Sequence, residues 1–152
     1  MGDRAWNIAR AIEALRARGV RVKRESSLYE TEPVDAGGGW FLHGALEAET
    51  ELEPRQFMGM LLEIERSLGR ERSQVSSGPK EPRTIDMDIL LFGALVIDSP
   101  ELQIPHPRMD QRRFVLAPLA EIAGGALHPV LKQTIADLLA TTPDRSEVCR
   151  FG

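Results

Sequence analysis

One cysteine, Cys149, stands in the 152 residues, so no intrachain disulfide can form, and its place near the C-terminus argues against a nucleophile. Positive charge is not in excess. With 19 Lys and Arg against 23 Asp and Glu the net charge is −4, which argues against a nucleic-acid module, whose affinity rests on a basic surface. No apolar run reaches the length of a membrane helix, and no charged start with a greasy middle marks a signal peptide. A cytoplasmic protein with no membrane or nucleic-acid partner is the expectation. No repeat or linker interrupts the chain, and its length suits one domain spanning residues 1–152, able to bury a core without staples.

What is present centres on Pro82-Arg83-Thr84-Ile85-Asp86-Met87-Asp88-Ile89-Leu90. Ile85, Met87 and Ile89 alternate with Asp86 and Asp88, a period of two that predicts a β-strand with one apolar and one acidic face. Residues i and i+2 of a strand lie about 6.5–7 Å apart on one face. Two carboxylates so placed repel each other, and hard divalent cations relieve the repulsion. A pair of cations roughly 3.5–4 Å apart would fit between them and hold a polyphosphate. Arg83 adds a planar fork suited to phosphate oxygens. Such a strand can equally carry a merely solvated outer face. The apolar run Ile89-Leu90-Leu91-Phe92 argues instead for burial on both sides.

The flanking chain reads as α+β. Ile8, Ile12 and Leu15 predict a helix from about Arg4 to Arg18, capped by Asp3 and stopped by Gly19. Val20 to Tyr29 reads as one strand. Residues 31–35 break it, and Gly37-Gly38-Gly39 makes the next loop pliable. Phe41 to Thr50 reads as a second strand and a hairpin partner of the first. Pro54 opens a helix with Phe57, Leu61, Ile64 and Leu68 as its buried stripe and Gly69 as its end. Arg70 to Pro82 then reads as a lid-like loop. A short strand at Leu95-Val96-Ile97, an extended Pro105-His106-Pro107, helices over 114–123 and 134–140, and a polar tail complete the chain.

The Pro82–Leu90 stretch closely resembles the signature of the 6-hydroxymethyl-7,8-dihydropterin pyrophosphokinase family, which moves a pyrophosphoryl group from ATP to a pterin alcohol. Two further stretches extend the resemblance over nearly the whole chain: Ile64-Glu65 with Gly69-Arg70-Glu71-Arg72, and Pro105-His106 with Arg112-Arg113-Phe114. The resemblance implies a ferredoxin-like antiparallel sheet with helices packed on it. It also implies that the family's first strand is lacking, because that strand ends in Gly-Ser-Asn-Leu-Gly directly before Asp-Arg, and Met1-Gly2-Asp3-Arg4 stands where Leu-Gly-Asp-Arg would be.

By the same resemblance Asp86 and Asp88 are metal ligands for two Mg²⁺ ions. Glu65, Arg70, Arg72, Arg83, His106 and Arg112 face ATP, the co-substrate. Thr31, Pro33 and Val34 form one wall of a pterin pocket, with Phe41, His43 and Phe114 opposite, and the pterin lies between Phe41 and Phe114. His43 departs from the usual Asn, and Glu81 stands where Gly is common. A monomer that meets only ATP and a pterin alcohol is expected. No nucleophile is needed, because phosphoryl-type transfer runs on charge neutralisation and alignment.

Overall fold

The computed structural model describes residues 2–31, 41–75 and 85–151. The architecture is α+β, with helices and small antiparallel sheets. The chain falls into two compact units, Met1–Val22 with Ala48–Asp88 and Lys23–Glu47 with Ile89–Gly152.

In the first unit, helix α1 (Gly2–Ala17) packs on helix α2 (Pro54–Val75). Asp3 is thus inside the first turn of α1 and is not its cap. The buried row of α1 is Asn7, Ala11 and Leu15, spaced at i, i+4 and i+8, while Ile8 and Ile12 are half-buried. The stop at Gly19 is a Schellman turn: Val20 N–H donates to Leu15 C=O and Gly19 N–H to Arg16 C=O, both at 3.1 Å. Gly19 has φ +89°, a conformation that a Cβ would strain. Leu61, Ile64 and Leu68 form the buried stripe of α2.

Gly69 does not end α2, which continues through Arg70-Glu71-Arg72 to Val75. A lone glycine costs a helix only about 1 kcal/mol, and good helix formers follow it. The expected loop from Arg70 is therefore helical up to Val75. The rest of the lid expectation, including Glu81, lies outside the described residues.

The second unit holds most of the sheet. Each long strand expected in the first third of the chain is two strands. β1 (Arg21–Glu25) pairs with β4 (Leu46–Glu49), and β2 (Tyr29–Thr31) pairs with β3 (Phe41–His43). The break is a bulge. Ser26 N–H donates to Ala45 C=O at 2.9 Å, and the Ser26 hydroxyl, in place of a backbone carbonyl, accepts from Ala45 N–H at 2.8 Å. Past this point the register is Tyr29↔His43 and Thr31↔Phe41. From Ser26/Ala45 to Tyr29/His43 one strand advances three residues and the other two. That extra residue reverses which side chains share a face. Tyr29 and Thr31 come to lie on the face of Phe41 and His43, where an unbroken hairpin would have put Glu30.

The polar tail is not without structure. β7 (Cys149–Arg150) adds to the other edge of β2, and Phe151 N–H donates to Leu28 C=O at 2.8 Å. The expected strand at 95–97 lies further on, as a hairpin of β5 (Ile97–Ser99) and β6 (Leu102–Ile104). Leu95 and Val96 are exposed.

Helix α3 (Arg113–Ala123) contacts β2 and β3 and packs on α4 (Ile135–Thr141). Leu116, Leu119 and Ile122 of α3, Ile135 and Leu138 of α4, Met109 and Ala45 make the core of this unit. A Cβ at Gly124, just past the end of α3, would stand 2.9 Å from the Ala120 carbonyl oxygen of the same helix. α4 is capped by the Thr134 hydroxyl, which accepts from Asp137 N–H at 3.1 Å. α3 takes its acceptor from tertiary structure, as Arg113 N–H donates to the Asp144 carboxylate at 2.8 Å. No helix among the described residues is long and apolar enough to cross a membrane.

Candidate functional site

The acidic candidate residues belong to the first unit. Residues 85–88 keep the alternation read from the sequence, with Ile85 and Met87 half-buried and Asp86 and Asp88 exposed. The expected central strand is not formed there. Residues 85–92 form no strand, and the one N–H between the two aspartates has an acceptor outside any ladder. Met87 N–H donates to the Glu65 carboxylate of α2 at 2.6 Å. Further on, in the second unit, His106 N–H donates to Leu90 C=O at 3.0 Å and Leu95 N–H to Phe92 C=O at 3.1 Å.

Among the described residues no three His, Cys, Asp or Glu side chains gather in a way that could hold a metal ion. A caged metal is therefore not what these residues form. Two exposed carboxylates do fit Mg²⁺, which keeps several waters and takes one or two carboxylates together with substrate phosphates. Arg70 and Arg72 fall on the last turns of α2, and their side chains lie outside the described residues. Arg83, Pro33 and Val34 also lie outside them.

The aromatic half belongs to the second unit and is closely packed. The rings of His43 and Phe114 are 4.5 Å apart, tilted by 36°. The Thr31 hydroxyl and His43 Nε2 are 2.9 Å apart. That bond exists because the bulge at Ser26 turns Thr31 onto the face of His43. Burial pushes the imidazole pKa down to about 4, so the ring is neutral near pH 7 and offers one donor and one acceptor. The Arg112 guanidinium lies 5.8 Å from the Phe114 ring centre, within cation–π reach. Phe41, on the same face as His43, is 45% exposed. The ring that the structure brings against Phe114 is thus His43.

Phe114 owes its place to α3, whose first turn is held by Asp144. Hydrogen bonds from the Ser146 hydroxyl and from backbone N–H groups hold the Asp144 carboxyl below the usual range. Two turns along α3, Glu121 accepts from Tyr29 Oη at 2.6 Å and from the Ser27 hydroxyl at 3.0 Å, so this end of the helix is fastened to β2 and the residues just before it. His106 is half-buried. Its Nδ1 accepts from Arg108 N–H at 3.3 Å, which leaves the proton of the neutral ring on Nε2.

Sequence reasoning named Glu65, Thr31 and His43 but missed the two pairings, Glu65 with Met87 and Thr31 with His43. The consecutive serines at 26 and 27 were the available sign of a bulge. Nothing in the sequence signals a contact between residues 65 and 87, because it is made only when the chain returns to α2.

The family model described as 7,8-dihydro-6-hydroxymethylpterin-pyrophosphokinase matches residues 1–124. The chain is 44% identical over 124 residues to the 2-amino-4-hydroxy-6-hydroxymethyldihydropteridine pyrophosphokinase of Bacillus subtilis, covering 80% of this chain and 72% of that protein. It is 40% identical over 139 residues to the folic acid synthesis protein fol1 of Pneumocystis carinii, covering 90% of this chain and 18% of the relative. It is also 40% identical over 125 residues to a folate synthesis bifunctional protein of Arabidopsis thaliana, covering 82% and 25%. The chain thus spans a quarter or less of these last two relatives.

Proposed function

Since the chain belongs to the 7,8-dihydro-6-hydroxymethylpterin-pyrophosphokinase family, we propose that it transfers pyrophosphate from ATP to the hydroxymethyl group of 6-hydroxymethyl-7,8-dihydropterin, a step of folate biosynthesis. The hydroxymethyl oxygen bonds to the β-phosphorus as the bond from that phosphorus to the AMP oxygen breaks. The alcohol proton is released, and the products are AMP and the pterin diphosphate.

The observation that carries this reading is the outward pair Asp86 and Asp88 on either side of a backbone unit tied to α2. These two would hold the Mg²⁺ ions, whose contribution is to offset the triphosphate's charge. Arg70, Arg72, Arg83, His106 and Arg112 steady the polyphosphate, and Glu65 stands on the same side. The pterin lies against Phe41 and Phe114, with Thr31, Pro33 and Val34 as a wall, and neutral His43, its Nε2 already bonded to the Thr31 hydroxyl, offers Nδ1 to its edge. A small planar heterocycle suits aromatic faces that a helix and a strand hold in place.

The reading takes residues 1–152 as one domain with a ferredoxin-like sheet, acting as a monomer in the cytoplasm. Small polar substrates require neither a membrane nor a nucleic acid.

The test is to incubate the protein with Mg·ATP and the pterin alcohol and identify the adenine product. Pterin-dependent AMP is expected. ADP would mean an ordinary kinase, and no pterin-dependent product would overturn the proposal.

A further inference from the structure

We infer that Glu65 is a positioning residue for the metal site, aiming Asp86 and Asp88 through the backbone of Met87; this rests on the pyrophosphokinase reading of those two aspartates. The Glu65 carboxylate accepts the Met87 N–H at 2.6 Å, a short, charge-assisted bond. Met87 is the one residue between the two aspartates. In an extended chain its N–H lies in the plane of the backbone, while the flanking side chains stand out of that plane on the opposite face from its own. A bond to this N–H holds the planar peptide unit that joins Asp86 to Met87. It thereby restrains the backbone from which the two carboxylates leave the chain.

In a β-sheet a neighbouring strand would do this work through its carbonyls. Residues 85–88 carry no strand assignment, and a side chain of α2 serves at Met87 instead. The support beneath it is firm. Glu65 follows Ile64, which is 1% exposed, and lies between Leu61 and Leu68, which are 3% and 5% exposed. A carboxylate beside the buried stripe of a helix is a stiff anchor, as a group that aims metal ligands has to be. In this arrangement Glu65 acts through its reach and its acceptor oxygen. Its negative charge, set beside two other carboxylates, is not what the arrangement needs.

That distinction can be measured with Mn²⁺ as the probe, titrated in the presence of a non-hydrolysable ATP analogue, on E65Q, E65D and D88N. E65Q keeps an acceptor at the same reach and loses the charge. E65D keeps the charge and loses the reach. E65Q is expected to hold Mn²⁺ close to the parent affinity, and E65D to bind about 10–100-fold more weakly, the usual effect of removing a group that orients metal ligands. In the metal-free protein, exchange of the Met87 amide proton should speed up in E65D and stay slow in E65Q. Weak binding by E65Q, alone or together with E65D, would mean that the charge or a direct contact matters and would overturn the inference. Parent-like binding by both variants would overturn it as well. D88N with undiminished Mn²⁺ affinity would remove the metal-site reading, and the positioning role with it, whereas loss in D88N with parent-like E65D would remove the positioning role alone.

Discussion

The acidic and the aromatic candidate residues are held by opposite means. In the second unit, Phe114 and His43 are held by a strand ladder, a helix whose first turn is capped from afar, and a hydroxyl 2.9 Å from the imidazole. In the first unit, Asp86 and Asp88 are exposed on a stretch with no strand assignment, tied by a carboxylate at Met87. The contrast follows from what each half has to recognise. An aromatic face gains when its ligand displaces water from it, and it has to be held in shape before that ligand arrives. A carboxylate pair that receives a cation and phosphates must stay hydrated until they come, because dry unpaired charge is too costly to keep.

This contrast breaks most readily at the aspartates. Asp88→Asn should lower pterin-dependent AMP formation by ~10²–10³-fold, the scale seen when one group that offsets transition-state charge is lost. The melting temperature should change little, because Asp88 is exposed and a surface substitution costs little. A large loss of stability instead would show that the acidic half is a packed element after all.

Phe114→Ala tests the other half. It should weaken pterin binding by roughly tenfold, from stacking worth about 0.5–1.5 kcal/mol together with lost apolar contact, while ATP-analogue binding changes little. Equal losses for both ligands, read by calorimetric titration, would mean that the two halves do not divide the substrates as proposed.

His43→Asn sharpens the comparison through pH. The folded imidazole titrates near 4 and an unperturbed one near 6.5. Between these values the unfolded chain takes up a proton that the folded chain does not, so stability falls as pH drops through this window. Burial lowers the His128 pKa too, and that group contributes in the same sense. Melting curves from pH 7 to 4 should therefore be flatter in the variant but not flat. Pterin affinity should change far more than ATP affinity.

The smallest effect is expected from Asp144→Ala, which removes the acceptor at the start of α3. It should cost ~1 kcal/mol, as a lost cap does, and raise the KM for the pterin slightly more than that for ATP. A change confined to ATP would contradict the assignment of α3 to the aromatic half.

Much of the fold was legible where a single element carries its own signal. The stripe Leu61, Ile64 and Leu68 marked α2, and Gly19 marked the end of α1, because helical periodicity and a left-handed stop are local properties. Gly69 misled because helix formers on both sides outweighed its local cost. The strands were harder. Val20 to Tyr29 and Phe41 to Thr50 look continuous, yet a serine hydroxyl replaces one carbonyl and shifts the pairing by a residue.

The sequence by itself determined the α+β class, the family, and the alternation that turns Asp86 and Asp88 away from Met87, since spacing along an extended chain needs no partner. Only the tertiary structure decided what holds these groups. Glu65 reaches Met87 across 22 residues, Thr31 reaches His43 by way of the bulge, and Asp144 caps a helix 31 residues before it. Each of these bonds depends on where a distant backbone group comes to rest. That is settled when buried surfaces pack against one another, and local composition carries no record of it.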